Sequence, residues 1–137
     1  MRRSDQRRDA AVALYQRDVT KRPLDELLDG AKPFTRDLAL GADQHLAEID
    51  SEIGANAHGW TIQRIAPLER AIMRIAVFEI HHRPEIPAPV SISEAVDSAK
   101  RYCGAEAPGF VNGVLSAIAR EAGLEEAGAA TTEEASA

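Results

Sequence analysis

The sequence is poor in cysteine and in aromatic residues. Only one of its 137 residues is a cysteine, Cys103, and Phe, Trp and Tyr together make up 4%. A single cysteine excludes a disulfide within the chain and a zinc cage built from cysteines. The scarcity of aromatic residues predicts a core made mainly of Leu, Ile, Val and Ala. The chain also lacks an apolar run near the ~20 residues that a membrane-spanning helix needs.

Targeting and catalytic signals are also missing. The N-terminus is rich in arginine but has no apolar segment of the kind that a secretory signal contains, so we expect a cytoplasmic protein. There is no glycine-rich phosphate loop and no serine nucleophile elbow, and Cys103 has no catalytic partner nearby in the sequence. We therefore expect neither an enzyme nor a bound cofactor.

The histidines do not predict a metal site. His81 and His82 are adjacent, with Glu79 close by, but adjacent side chains on a helix diverge by about 100° and do not face one ion easily. No second cluster of metal ligands completes a site in the sequence. We expect His81 and His82 to be surface residues at a helix end. His45, which lies in an apolar stripe, is expected to be a core or subunit-contact residue.

The charge is unevenly distributed. The formal net charge is −6, yet residues 1–22 hold seven basic side chains against three acidic ones, whereas residues 121–137 hold five glutamates and no base. The N-terminal arm is therefore locally basic and suited to attract phosphate. Residues 124–137 have almost nothing to bury, which predicts a disordered acidic tail after one domain at residues 1–123.

The spacing of apolar residues predicts an all-α fold of about seven helices, with no strand pattern and no internal repeat. Prolines and glycines set several boundaries, and Ser91 with Glu94 matches a capping box. The predicted helical segments are Asp5–Val19, Pro23–Gly30, a long helix over 35–55, a short segment at 60–65, a central helix from Pro67 to the proline-rich loop 83–89, a helix from Ser91 to Tyr102, and a last helix from Pro108 to near Gly123.

The last helix contains an unusual dipeptide. Asn112-Gly113 between apolar residues usually indicates a hairpin turn. Here the apolar residues from Phe110 to Ile118 recur at helical spacing instead. A glycine inside a helix costs about 1 kcal/mol relative to alanine, so a packing or functional reason is expected, such as the close approach of another backbone.

The phrase Phe-Val-Asn-Gly-Val-Leu at residues 110–115 resembles the signature of the NusB family. Three further blocks resemble the family in its order: residues 7–16, 69–80 and 89–100. The resemblance implies an all-helical domain of two packed sub-bundles. It also implies a transcription antitermination factor that binds, together with the small-subunit ribosomal protein NusE, the boxA element of nascent ribosomal RNA. Such a factor promotes processive transcription and is tethered to RNA polymerase.

The resemblance also implies an RNA-binding set that includes the basic N-terminal arm. Arginine binds phosphate with two parallel hydrogen bonds and can stack on bases. Arg3 and Arg7 are four residues apart and share a helix face. The alternative is a solvated helix start for the arginines and, for the asparagine, a role in fixing the preceding loop to the last helix. The expected RNA-binding residues are Arg2, Arg3, Arg7, Arg8, Lys100 and Asn112.

The resemblance places a NusE-binding surface on the first and central helices. Its expected residues are Tyr15, Glu69, Arg70 and Arg74. The last three are expected on the exposed side of the central helix. Tyr15 has a core role as its alternative, and the three polar residues have a solvated face as theirs.

Two other functions stay open at this point. Similar helical modules occur at the N-terminus of ribosomal RNA cytosine methyltransferases. We do not expect this function, because a sequence of 137 residues has no room for a methyltransferase domain. The second alternative is a helical protein–protein adaptor or homodimer with little RNA affinity. Acidic residues interrupt the arginines of the N-terminal arm, which supports this alternative.

Overall fold

The computed structural model describes residues 1–124 and contains no strand over that range. The predicted all-α fold is confirmed, whereas the predicted tail lies outside the described residues except for Leu124. A short 3-10 helix, Ile62–Arg64, precedes the central helix. The seven α-helices are α1 Arg3–Thr20, α2 Leu24–Leu27, α3 Pro33–Gln44, α4 Leu46–Asn56, α5 Pro67–His82, α6 Ala88–Tyr102 and α7 Ala107–Glu121.

The helices form the two predicted sub-bundles around α5. Helix α1 contacts α2 and α3, helix α7 contacts α4 and α6, and α5 contacts helices of both groups. Every residue from Ala71 to Ile80 is buried. Eight of these ten residues are apolar, as is typical of a core helix, and the two charged ones, Arg74 and Glu79, form ion pairs with other helices. No described helix is both long enough and apolar enough to cross a membrane.

Prolines begin several helices. They occupy one of the first two positions of α3, α5, α6 and α7. A backbone N–H at these positions has no partner within the helix, so proline, which lacks the N–H, costs no hydrogen bond there. The predicted start of the central helix at Pro67 is therefore confirmed.

The predicted start of α6 at Ser91 is wrong, because the helix already begins at Ala88. Pro87 supplies the extended residue before it. The Ser91 hydroxyl is buried inside the helix and donates to Glu79 Oε1 at 3.1 Å, so it does not cap the helix. Glu94 is likewise not part of a capping box, since it accepts a hydrogen bond from the Ser4 hydroxyl on α1 at 2.8 Å.

Two other helices differ from their predicted extents. The predicted long helix over 35–55 is broken at His45 (φ −109°, ψ 21°), where α3 ends and α4 begins. Its apolar stripe continues across the break, so periodicity alone did not reveal it. The predicted second helix is also shorter: α2 is a single turn that ends at Leu27, and Gly30 follows with a φ of 76°.

The asparagine–glycine pair lies inside α7, as its spacing predicts. The expected close approach at Gly113 is not present, because a Cβ added there would meet no atom within 4 Å. A tightly packed glycine occurs elsewhere. A Cβ at Gly41 on α3 would overlap the buried ring of Phe78 on α5, so Gly41 allows these two helices to pack.

Candidate nucleic-acid interface

Arg7 is buried rather than available at the surface. Its Nε lies 2.8 Å from Glu79 Oε2 and its Nη2 lies 2.9 Å from Glu79 Oε1. A third contact joins Arg7 Nη1 to Glu94 Oε1 at 3.5 Å. The expectation that Arg7 belongs to an accessible arm is therefore wrong, because Arg7 forms its ion pairs with carboxylates on α5 and α6 in the interior. Its position fixes α1 against both helices.

The other N-terminal arginines remain accessible. Arg2 and Arg3 are exposed and Arg8 is partly exposed. The Arg3 guanidinium lies 4.3 Å from the centroid of the Phe34 ring and Arg7 lies 5.4 Å from it, so these two arginines share a face, as predicted. Arg8 lies about 100° further round the helix and faces α6.

A polar groove of ≈ 190 Å³ runs between the start of α1 and the end of α6. Arg2 and Arg8 line it at the start of α1, and Arg101 and Tyr102 line it from α6. Three acidic residues also line it, which are Asp5, Glu94 and Asp97. Tyr102 is 44% exposed, and hydrogen bonds with Arg8 and Arg101 lower the pKa of its hydroxyl. The groove therefore combines guanidinium groups with an accessible aromatic ring, which are the two groups that bind single-stranded RNA.

We define the basic edge as the accessible cationic residues at this end together with the tyrosine. Lys100 belongs to it because it is exposed on the last turn of α6. Arg101 and Tyr102 were not among the predicted site residues, although they directly follow Lys100 in the sequence. The basic edge consists of Arg2, Arg3, Arg8, Lys100, Arg101 and Tyr102.

Acidic residues partly neutralise the basic edge. Arg8 lies 3.0 Å from Asp9 and 3.5 Å from Asp5, and Arg2 lies 3.7 Å from Asp5. Ion pairs at an exposed surface contribute about 0–1 kcal/mol each. A phosphate group can therefore replace these carboxylates at little cost.

Asn112 lies outside the basic edge. It is exposed on α7 and lines a neighbouring groove of ≈ 380 Å³ between α6 and α7. Asp97 lines both grooves, so the two adjoin. Within residues 1–124 the Asn112 side chain makes no hydrogen bond that would fix the preceding loop to α7, and it remains accessible.

The predicted partner-binding residues divide into two groups. Tyr15 and Glu69 are partly exposed. Burial raises the pKa of the Glu69 carboxyl, which lines a groove of ≈ 420 Å³ together with Trp60 and Phe110. Trp60 is 52% exposed and meets Phe110 edge to face at 6.4 Å. This groove offers apolar surface beside an accessible carboxylate.

Arg70 and Arg74 form the second group. The prediction that Arg74 is exposed is wrong, because Arg74 is buried, and Arg70 is only partly exposed. Arg74 is 6% exposed and pairs with both oxygens of Asp50 at 2.7 Å. Asp18 on α1 accepts from Arg74 at 2.6 Å and from Arg70 at 3.2 Å. These arginines therefore join α1 and α4 to α5. Periodicity along α5 did not reveal their carboxylate partners, which lie on other helices.

Asp18 is the shared acceptor of this network. Burial alone would raise its pKa, but the hydrogen bond and charge of Arg74, with the charge of Arg70 and a hydrogen bond from Arg17, lower the pKa below its usual range. Its carboxyl group is therefore ionised in the folded protein at neutral pH. The network therefore stabilises the packing of α1 and α4 on α5. Any partner that binds α1 has to contact other residues of that helix.

These features define an all-helical interaction domain, with grooves and a basic edge at its surface. The NusB family model matches residues 4–120 of the chain. A protein named transcription antitermination protein NusB from Geobacillus kaustophilus (strain HTA426) is 40% identical over 124 residues, which cover 86% of this chain and 95% of that protein. The chain therefore belongs to the NusB family.

Solved structures show the same fold. The structure of T. maritima NusB has a TM-score of 0.81 and 29% identity, covering 88% of this chain and 92% of that one. A crystal structure of the antitermination factors NusB and NusE in complex with dsRNA contains a chain with a TM-score of 0.74 and 28% identity, covering 88% and 99%. The family that the sequence resembles is thus confirmed.

Proposed function

We propose that this chain is a transcription antitermination factor that binds boxA-type single-stranded RNA of nascent ribosomal RNA transcripts together with NusE. In this role it promotes processive transcription in the cytoplasm while it contacts the RNA polymerase elongation complex. It acts by binding and not by catalysis. The observation that carries the proposal is the clustering of Arg2, Arg8 and Arg101 around Tyr102 in a member of the NusB family.

The basic edge supplies both affinity and base contact. Its guanidinium groups neutralise phosphates, and this electrostatic attraction supplies a large share of the affinity of nucleic-acid complexes. Tyr102 is accessible and offers a ring on which an unpaired base can stack, which contributes about 1–3 kcal/mol per base. We assign RNA contact to Arg2, Arg3, Arg8 and Lys100, with Arg101 and Tyr102 added. Arg7 is left out because it is buried against Glu79.

Asn112 is proposed to extend the RNA path beyond the basic edge. Its amide can both donate and accept a hydrogen bond, and its groove adjoins the basic edge through Asp97. An RNA strand that leaves Tyr102 along α6 would therefore reach Asn112 next.

We propose that NusE docks on the surface around Tyr15 and Glu69. Glu69 lies beside the apolar groove of Trp60 and Phe110, and an apolar centre with a polar rim is the usual anatomy of a protein interface. Arg70 and Arg74 support this surface from inside through Asp18 and are not proposed to touch the partner.

RNA binding by fluorescence anisotropy tests the proposal. A labelled boxA-type RNA is titrated with this protein alone and with its NusE, and a scrambled RNA serves as the reference. We expect tighter, sequence-selective binding when NusE is present. Arg8→Ala and Arg101→Ala should each weaken RNA binding. Arg22→Ala should leave it unchanged, because Arg22 is exposed just beyond the opposite end of α1. Equal loss in all three variants would contradict the proposed site.

The partner surface needs a separate measurement. Glu69→Gln should weaken NusE binding, measured by titration calorimetry, and leave the binding of RNA to this protein alone unchanged. Glu26→Gln, at an exposed position on α2, removes the same charge and serves as the control. NusE binding that is insensitive to Glu69→Gln would move the interface away from α5.

The acidic residues beside the basic edge favour one alternative, an adaptor or homodimer with little RNA affinity. Asp5 and Asp9 already pair with the N-terminal arginines, and net charge is negative. NusE capture without RNA binding in the anisotropy experiment would establish the adaptor. Sedimentation would then decide between monomer and homodimer.

A further inference from the structure

Two histidines from different helices lie face to face at the junction of the sub-bundles. His45 is the residue at which α3 ends and α4 begins, and His82 is the last residue of α5. Their ring centroids are 4.0 Å apart and the planes differ by 19°. Phe78 stacks on His82 at 5.2 Å. The tertiary fold therefore holds two imidazoles together that are far apart in the sequence.

A carboxylate completes a set of three metal-ligating groups. Glu48 lies one turn beyond His45 on α4, and its Oε2 is 3.8 Å from His45 Nδ1. One nitrogen of each imidazole and one oxygen of Glu48 all lie within 4.8 Å of one another. Ligands at the usual bond lengths around a tetrahedral zinc ion are about 3.3 Å apart. To bind one ion, the two imidazoles must rotate out of their face-to-face stacking until the ion lies in both ring planes, and the exposed Glu48 side chain must turn toward them.

The neighbouring polar side chains are already paired with other residues, so they do not belong to this set of three ligands. His81 Nε2 lies 2.5 Å from Glu52 Oε1, and its ring is turned 68° from that of His82. Arg83 pairs with Asp37 and covers the Phe78 ring at 4.8 Å. The expected divergence of His81 and His82 is thus present, and His82 finds its partner across the junction instead.

We propose that His45, Glu48 and His82 form a binding site for a divalent transition-metal ion of the zinc type. Two imidazoles and one carboxylate are ligands that zinc accepts with a water in the fourth position, whereas calcium and magnesium prefer oxygen ligands alone. The backbone at His45 is held on both sides, because its N–H donates to Gly41 and its carbonyl accepts from Ile49. The backbone of the first ligand is therefore fixed before the ion arrives, and only its side chain has to turn.

The bound ion would brace the junction between the sub-bundles. His45 joins α3 of the first sub-bundle to α4 of the second, and His82 belongs to the helix on which both pack. A metal ion that binds only the folded state raises the free energy of unfolding. The increase grows with the logarithm of the ratio of the free ion concentration to the dissociation constant. The site would therefore act on the rigidity of the fold, away from the RNA contacts.

Zinc titration of the full chain after treatment with a chelator tests this proposal. We expect one ion per chain by calorimetry and an increase in thermal stability. His45→Gln and His82→Gln should each weaken zinc binding by at least about tenfold, since even residues that only orient a ligand cost 10–100-fold when replaced. Glu48→Gln should weaken it in the same direction. His58→Gln, His81→Gln and Cys103→Ser should leave the affinity unchanged.

NMR of the unaltered protein tests the same site without any substitution, so the result does not depend on whether the variants fold. The imidazole NMR signals of His45 and His82 should shift on zinc addition, while that of His58 should not. Zinc affinity that is unchanged in His45→Gln and His82→Gln would overturn the proposal. Absence of binding, or signal changes confined to His58 or His81, would overturn it equally.

Discussion

Adjacent arginines in α1 have different roles because a helix turns about 100° per residue. Arg7 faces the interior and forms a two-point ion pair with Glu79, and Arg8 faces the groove beside Tyr102. The shared face of Arg3 and Arg7 was predictable from their spacing. The burial of Arg7 was not predictable, because its partner Glu79 is 72 residues away in the sequence and a local pattern does not show such a contact.

Replacement of Arg7 should destabilise the protein. Arg7→Ala leaves the buried Glu79 carboxylate without its charged partner, and breaking such a pair from one side costs about 3–5 kcal/mol. The free energy of unfolding in urea measures this loss. Arg8→Ala is the control, since a partly exposed arginine contributes within about 0.5 kcal/mol. A small effect in both variants would show that the Glu79 carboxylate is satisfied without Arg7.

At the scale of elements, the carboxylate of Asp18 joins α1 to α5. A group whose pKa is lowered in the folded state adds stability above its unfolded-state pKa, and that stability is lost as pH falls toward the folded-state pKa. The difference in unfolding free energy between wild type and Asp18→Asn should therefore be largest near neutral pH and shrink below about pH 5. Asp29→Asn, at an exposed position, should show little difference at either pH. A constant difference for Asp18→Asn would contradict the lowered pKa.

Two helical glycines should respond oppositely to alanine. Gly41→Ala forces the buried Phe78 ring to move, and overpacking of this kind costs about 1–3 kcal/mol. Gly113→Ala enters open space on α7 and removes the cost of a glycine in a helix, so it should stabilise by up to about 1 kcal/mol. Thermal unfolding of both variants checks the signs. Destabilisation by Gly113→Ala would show that its position is constrained after all.

The sequence predicted which segments are helical more reliably than where they begin and end. Prolines located the starts of α5 and α7 to within one residue, because proline restricts the first turn directly. The break at His45 and the true start of α6 were missed. The break was missed because an apolar stripe passes through it. The start of α6 was missed because Ser91 and Glu94 have the spacing of a capping box, whereas the Ser91 hydroxyl in fact donates to Glu79 inside the fold.

The whole molecule is acidic, yet it presents a cationic edge. For single-stranded RNA, the slope of log K against log salt is about −0.7 per phosphate neutralised. The slope for boxA-type RNA should be clearly negative despite the net charge of −6, and it should flatten by about 0.7 for each phosphate contact removed with Arg2, Arg8 or Arg101. Anisotropy titrations at several salt concentrations measure it. A slope near zero would exclude the basic edge as the phosphate-binding surface.

Much of the overall architecture was predictable, but less of the interface was. The phrase at residues 110–115 and three further blocks indicated the family, and the family implied the two sub-bundles. Arg101 and Tyr102 were missed because their importance comes from the proximity of α6 to Arg8, a contact that no local pattern shows. The same limit explains the histidine pair at the sub-bundle junction.

The burial of the middle of α5 also determines how the molecule opens. Its residues from Ala71 to Ile80 are buried by helices of both sub-bundles, so no local fraying can expose their amide protons to solvent. These protons should exchange with deuterium only when the whole chain unfolds, whereas those at the ends of α1 and α6 can exchange through smaller openings. The slowest exchange rates would then report global stability, and any slowing caused by RNA would first be visible at the two helix ends that form the basic edge.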